Sequence, residues 1–335
     1  MEPPLSTTSA SADQDPGFIS SLRVLAMHYS DWLSGVQAIM DGKESAHSSQ
    51  YDSLHSATYM AIKHAALKKS PFKFSSTDLN DQFTREQLRF LWKGIIQTVQ
   101  VVDTLDPWQD KFLQLVMWTR QFDGMIKELN GVQDSDTPWE EYGFGEQLQH
   151  AWEKLMWENE VEKMSNLAAF SAKALTAGVS EQSLADTALW YFREAFESQD
   201  DDKVASLLSV TAGWYSGAAY KLLLLCVKEK NGGLEPGPKA REFGVEKKGF
   251  SMERWLFWRK RLQGLNHHAD REVLELARKV FMLNVAAGRD TGFDVPGEKR
   301  FQERMDKAMV EALDKSGKEC VTDTDIEMDF DWVDE

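Results

Sequence analysis

The residues of this chain with the strongest claim to chemistry sit in one stretch, SMERWLFWRKRLQGLNHHAD, residues 251–270. Its end offers His267, His268 and Asp270, residue types that bind zinc or move protons. Adjacent imidazoles point in different directions in most backbone conformations. Helical zinc motifs instead place histidines four apart, on one face. With no distant ligand set to complete a site, these three residues read as a polar turn, and no metal or cofactor is expected.

Other constellations fall short in specific ways. An all-α enzyme can hold magnesium and diphosphate on aspartate-rich helices, as terpene synthases do. In QDDDKVAS (199–206), Val204 and Ala205 stand where that pattern needs a further acid. In NDQFTREQL (80–88), Asn80 and Thr84 fit the second motif but Leu88 replaces its acid, so the ions would lack their oxygen cage. Walker-type phosphate loops, the G-x-S-x-G elbow and H-E-x-x-H are all missing from the sequence. His64, on the apolar side of YMAIKHAAL, reads as a core or boundary residue rather than a base. Lys221 follows the uncharged run VASLLSVTAGWYSGAAY (204–220). It reads either as a lysine snorkelling to the surface or as a buried amine lining a cavity near Gly213–Lys221. The second reading would make the protein a helical enzyme or small-molecule carrier.

The elements that must position these residues are helices. Apolar residues recur at i, i+3, i+4 and i+7 over about 18–40, 50–69, 84–104, 107–129, 146–177, 183–198, 202–230, 251–264, 270–289 and 296–316. Period-2 alternation is missing from the body of the chain. The fold class is therefore all-α, an irregular domain of about nine to eleven helices, with a degenerate α-solenoid of helical pairs as the alternative. The expected organisation is a disordered 1–16, a main helical domain over 17–230, and a Gly/Pro-rich loop at 231–250. A C-terminal helical subdomain at 251–316 packs on the first, and an acidic tail covers 317–335. The 204–220 run is diluted by serines, Thr211 and two glycines, and reads as a buried central helix rather than a membrane span. Gly213 and Gly217, four apart, let another helix come close.

The formal net charge is −16, which repels phosphate backbones and argues against direct nucleic-acid binding. Two cysteines, Cys226 and Cys320, make no disulfide framework. MEPPLSTTSASADQDPG is not a secretory signal, and no Asn-x-Ser/Thr acceptor occurs. An intracellular setting, cytoplasmic or nuclear, is expected.

Within 251–270, Ser251 is placed to cap a helix, and Phe250 to staple it against Trp255. Trp255, Trp258, Leu262 and Leu265 form one apolar stripe. Arg254 and Arg261 line one edge of it and Arg259 the other. Asp270 caps the next helix. Residues 239–271 carry nine Lys and Arg against four Asp and Glu. The tail, TDTDIEMDFDWVDE (322–335), is its complement. It contains seven acids, and Ile326, Met328, Phe330 and Trp332 alternate with Asp325, Glu327, Asp329 and Asp331. It reads either as a disordered solubilising tail or as a strand with one apolar side, suited to docking. The candidate interaction residues are thus Arg254, Trp255, Trp258, Arg259 and Arg261 on the hairpin, with Phe330 and Trp332 as tail anchors. The expected partner is another protein or the chain's own tail.

FSMERWLFWRKRL, ADREVLELARKVFM, AAGRDTGFDVPGEKRF and the closing DFDWVDE resemble an uncharacterised family of all-helical proteins from filamentous ascomycete fungi. Trp255, Trp258, Ala277, Met282, Gly288 and Pro296 carry the likeness, which covers most of 18–316. The resemblance implies a helical fold of unknown function and a fungal source. It brings no catalytic residue to transfer, and implies at most an accessory or regulatory role.

Overall fold

Helices with one apolar stripe must bury it against other helices, and the most apolar of them takes the centre. The computed structural model describes residues 89, 92–129, 143–230 and 233–316, and residues 320, 322, 326 and 328–334 of the tail. The segment 1–16, the helices expected over 18–40 and 50–69, His64 and the 80–88 motif lie outside the described residues. The fold is all-α, with no strand among the described residues. A helical segment at 92–99 is followed by α1 (Pro107–Leu129), α2 (Phe144–Glu158), α3 (Val161–Thr176), α4 (Glu181–Phe196) and the short α5 (Asp202–Ser206). Then come α6 (Leu208–Val227), the short α7 (Pro238–Glu242), α8 (Met252–Gln263), α9 (Arg271–Thr291) and α10 (Glu298–Ser316). A 3-10 helix, Phe330–Val333, lies in the tail.

Two runs expected as single helices are divided. The 146–177 run breaks at Asn159, which adopts the left-handed conformation (φ 55°) while its N–H bonds Leu155 O. Asparagine tolerates that region better than most residues, so the chain can end α2 and start α3 after one further residue. The 202–230 run breaks at Leu207, which leaves the helical region at φ −99°, ψ 11°.

The central helix is α6, apolar on all sides. By length and composition it is the one helix among the described residues that could cross a membrane. Here α3 covers one side and α9 another. Gly213 and Gly217 make the α3 approach possible. A Cβ on Gly213 would stand 3.0 Å from Ala168 Cβ, and one on Gly217 only 2.7 Å from Ala172 Cβ. Thr176 Oγ1 donates to Gly217 O at 2.8 Å, and the next residue, Ala218, departs from helical geometry (φ −144°). A side chain competing for a ladder carbonyl is a recognised cause of a helix kink.

Aromatic rings tie the remaining helices to this centre. Trp152 of α2 stacks on Trp214 of α6 with centroids 5.8 Å apart. Tyr191 of α4 sits beside both rings and donates its hydroxyl to Leu207 O at 3.0 Å. Trp258 of α8 stacks on Phe192 of α4 at 4.7 Å. The hairpin α8–α9 therefore shares its core with helices far earlier in the chain.

Candidate functional site

The cap of α8 forms as its sequence suggests: Ser251 Oγ accepts from Arg254 N at 3.2 Å. Phe250, however, meets Trp258 edge-on at 6.4 Å, one turn beyond the expected Trp255. Asp270 caps α9 by accepting from Glu272 N at 2.9 Å. His268 Nδ1 accepts from Asp270 N at 3.1 Å. Among the described residues no group of three His, Cys, Asp or Glu side chains is placed to hold a metal ion.

The stripe Trp255, Trp258, Leu262 and Leu265 is buried, but so are two of its flanking arginines. Arg254 is fully buried, and Arg259 is 5% exposed. The reason for the first is Glu197, the residue that ends α4. The Glu197 carboxylate is also fully buried, with Arg254 Nε 3.0 Å from Oε1 and Arg254 Nη2 donating to Oε2 at 3.1 Å. Trp258 Nε1 donates to Oε1 at 2.9 Å, and Gly237 N to Oε2 at 2.6 Å. Arg254 Nη1 donates to Leu234 O and Gly249 O, stitching down both ends of the loop that crosses from α6 to α8. Burial pushes the guanidinium below its ordinary value, against the pull of Glu197. Only glycine fits at 237, where a Cβ would lie 2.6 Å from Glu197 O.

Arg261 is more accessible. It donates from Nε to Phe196 O at 2.9 Å and pairs with Asp201. That hydrogen bond holds the Asp201 carboxyl below its usual range. Arg259 lies deeper, with Nη2 donating to Pro296 O at 2.8 Å. Its Nη1 has no hydrogen-bond partner, nor do Glu298 Oε1 and Asn284 Oδ1, all three buried. Asn284 Nδ2 donates to Tyr215 OH at 3.0 Å. Burial pushes the Glu298 carboxyl up to about 7, while Arg259 and a backbone hydrogen bond from Gly288 pull it down.

The tail lies against α8, α9 and α10. Ile326, Met328 and Phe330 are buried, and Phe330 stacks face to face on Phe281 of α9 at 4.3 Å. The alternation then stops. The 3-10 turn sets Phe330 and Val333 on one face, as its three-residue repeat requires, so Val333 is buried and Trp332 is half-buried against Phe301. Polar contacts surround these anchors. Lys260 Nζ donates to Asp334 Oδ2 at 2.9 Å. Gln263 Nε2 donates to Phe330 O, Asp331 Oδ1 and Asp334 Oδ2. Asn266 Nδ2 donates to Asp329 Oδ1 at 3.0 Å, and Arg278 Nη2 lies 3.4 Å from Ile326 O. Partial burial raises the Asp334 carboxyl, but the bonds from Lys260 and Gln263 outweigh it and hold it below its usual range. Gly297 (φ 88°) accommodates the tail's end, since a Cβ there would meet Val333 O at 2.3 Å.

Beside Asp334 a groove of about 440 Å³ remains open between the 243–245 turn, α8 and residues 296–300. At Lys221 the picture differs. Its Nζ lies 3.1 Å from Glu181 Oε1 with the side chain 21% exposed, and the glycine face beside it is filled by Ala168 and Ala172.

The structure thus brings Arg254, Trp255, Trp258 and Phe330 inside the protein. Arg259 lines the groove, and Arg261 and Trp332 are partly exposed at the protein's surface. Glu197, Gln263, Phe281 and Glu298 escaped sequence reading. Glu197 follows AF at a helix end, as any solvated acid might, and Gln263 carries no charge to mark it.

No curated protein and no solved structure matches the chain. The family model described as a protein of unknown function, DUF3632, matches residues 92–262. That span runs from the first described helix to the end of α8, and holds Glu197 with its partners Gly237, Arg254 and Trp258. Of the residues that carried the sequence resemblance, Trp255 and Trp258 fall inside it. On that match the chain belongs to the DUF3632 family of proteins of unknown function.

Proposed function

We propose that this is an intracellular interaction or accessory protein with no catalytic role, built around a peptide-docking cleft between α8, α9 and α10. The cleft holds the chain's own acidic-aromatic tail and receives a partner segment of the same chemistry in exchange. One observation carries this reading: Phe330 is fully buried face to face on Phe281, while the bonds around it come from side chains of α8 and the turn after it. An apolar anchor within a polar rim is how short peptides bind clefts. A regulatory role follows if the tail competes with the partner, because a tethered segment acts at high effective concentration. A cytoplasmic or nuclear setting, and the fungal source implied by the resemblance over most of 18–316, belong to the same proposal.

The test uses the full chain and a chain truncated before 322. A fluorescent peptide of residues 322–335 should bind the truncated chain, and bind the full chain at least about tenfold more weakly, because the tethered tail must first leave. Raising salt from low to high should weaken binding only a few-fold, since the anchors are apolar. Failure of the peptide to bind the truncated chain, with that chain still folded, would refute the cleft.

A further inference from the structure

We propose that the groove beside the docked tail binds a small organic anion, a carboxylate or phosphate monoester carried on a flat apolar body. Its volume, about 440 Å³, lies within the usual range for small-molecule sites, roughly 300–1,000 Å³. Three cations line it, Arg259, Lys260 and Arg300, against two acids, Glu253 and Asp334. Lys260 is already matched by Asp334. The two arginines are not matched in this way.

Arg259 is 95% buried yet leaves Nη1 without a hydrogen-bond partner. Its other terminal nitrogen meets a neutral acceptor, Pro296 O. Burial disfavours the Arg259 charge, Glu298 and Asp334 favour it, and the exposed Arg300 disfavours it further. Of those two acids Glu298 is the buried one, and burial raises its carboxyl to about 7, so it offsets Arg259 only in part near neutral pH. Arg259 bonded to a neutral carbonyl and Arg300 exposed, both at one open groove, favour an anion there, because a charge-assisted bond to either fork is stronger than one to a carbonyl.

The apolar part of the ligand follows from the other lining. Phe243 is 60% exposed, high for a large aromatic, and packs on Phe257 with centroids 5.4 Å apart. Val245, Leu256 and Pro296 continue the surface. A flat ring on Phe243 with its anion toward Arg259 and Arg300 uses both halves. The inference does not rest on tail exchange, because Val333 and Asp334 line the groove with the tail in place.

The full chain would be titrated by calorimetry with phenyl phosphate, inorganic phosphate and phenol. Phenyl phosphate should saturate with a Kd below about 1 mM, with phosphate at least about tenfold weaker and phenol undetectable. Arg300→Ala should weaken phenyl phosphate about tenfold with an unchanged melting temperature, since Arg300 is exposed. Phe243→Ala should weaken phenyl phosphate but leave inorganic phosphate alone. The inference is overturned by no saturation up to about 10 mM, or by equal affinity for phosphate and phenyl phosphate, which means an adventitious ion only. Binding that neither Arg300→Ala nor Phe243→Ala changes would overturn it as well.

Discussion

Replacing Arg254 by Met is the sharpest perturbation of this molecule. The substitution keeps an unbranched side chain in place but removes a charge matched by Glu197, with both groups fully buried. Glu197 would keep only the Trp258 indole N–H and the Gly237 N–H as donors. Gly249 O would lose its Arg254 donor, and Leu234 O would keep only the Gly249 N–H. Breaking a buried ion pair from one side costs about 3–5 kcal/mol, and the Gly249 carbonyl left dry about 1–3 kcal/mol more. Partial entry of water trims this, so a loss of about 5 kcal/mol is expected, or about 10–20 °C in melting temperature. Glu197→Gln alone should cost about 3 kcal/mol, since it strands the guanidinium. The double variant strands no charge and should lose about 2–3 kcal/mol less than the two single losses together. Urea unfolding followed by tryptophan fluorescence measures all four proteins of the cycle. An Arg254→Met loss below about 1 kcal/mol, or strictly additive losses, would show that the pair behaves as a solvated surface bridge and would refute the reasoning.

Four further outcomes are expected. Gly217→Ala should cost about 1–3 kcal/mol by overpacking, because its Cβ meets Ala172 at 2.7 Å; adding Ala172→Gly should recover part of that in the same urea assay. Phe330→Ala should release the tail, so that amide exchange at 328–334 quickens while α6 keeps its protection. The Glu298 carboxyl sits near 7 in the folded protein against an ordinary 4.5, so its contribution to stability is complete below pH 4.5 and is lost as pH rises through 7. Glu298→Gln should remove about 2 kcal/mol of that loss after solvent screening, read as a flatter melting temperature between pH 5 and pH 8. Lys221→Met should change stability by no more than about 1 kcal/mol, as for other partly exposed pairs; a larger loss would give that lysine a role its pairing with Glu181 does not explain.

The helices were legible because their apolar spacing is local information. So were the caps Ser251 and Asp270, whose hydrogen bonds reach only two or three residues along the chain. The breaks at Asn159 and Leu207 were not, since the apolar pattern continues across both. The tail's alternation correctly marked Ile326, Met328 and Phe330 as an inward-facing set. It erred at Trp332, where the 3-10 turn changes the period from two to three and turns Val333 inward instead. Arginine placement was the largest gap. A helical wheel puts Arg254 and Arg259 at the edge of an apolar stripe, where arginines usually stay solvated. Their burial depends on Glu197, 57 residues earlier than Arg254, and on Pro296, 37 residues after Arg259. No window along the chain contains those pairings.

The same point governs how the positive excess of 239–271 acts. Counted along the sequence, it suggests a basic surface on an acidic protein. In the fold, Lys239 and Arg261 face Asp201, Lys247 faces Glu229, Lys248 faces Glu235, and Arg254 faces Glu197. Arg271 faces Glu275, and Lys260 faces the tail's Asp334. A cation paired within a few ångströms contributes little field beyond a Debye length of roughly 8 Å. Long-range attraction of an acidic partner is therefore weak, and specificity must come from contact: the Phe281 face for an aromatic anchor, Gln263 and Asn266 for the acids flanking it. Within that stretch Arg241 and Arg259 bond only carbonyls, Pro236 O and Pro296 O, and Arg259 shares the groove at the tail's end with Arg300. Removing the tail unpairs Lys260 beside them. Tail release then adds a third free cation to that groove, so an anion there and a docked tail should oppose each other, each weakening the other by the same factor.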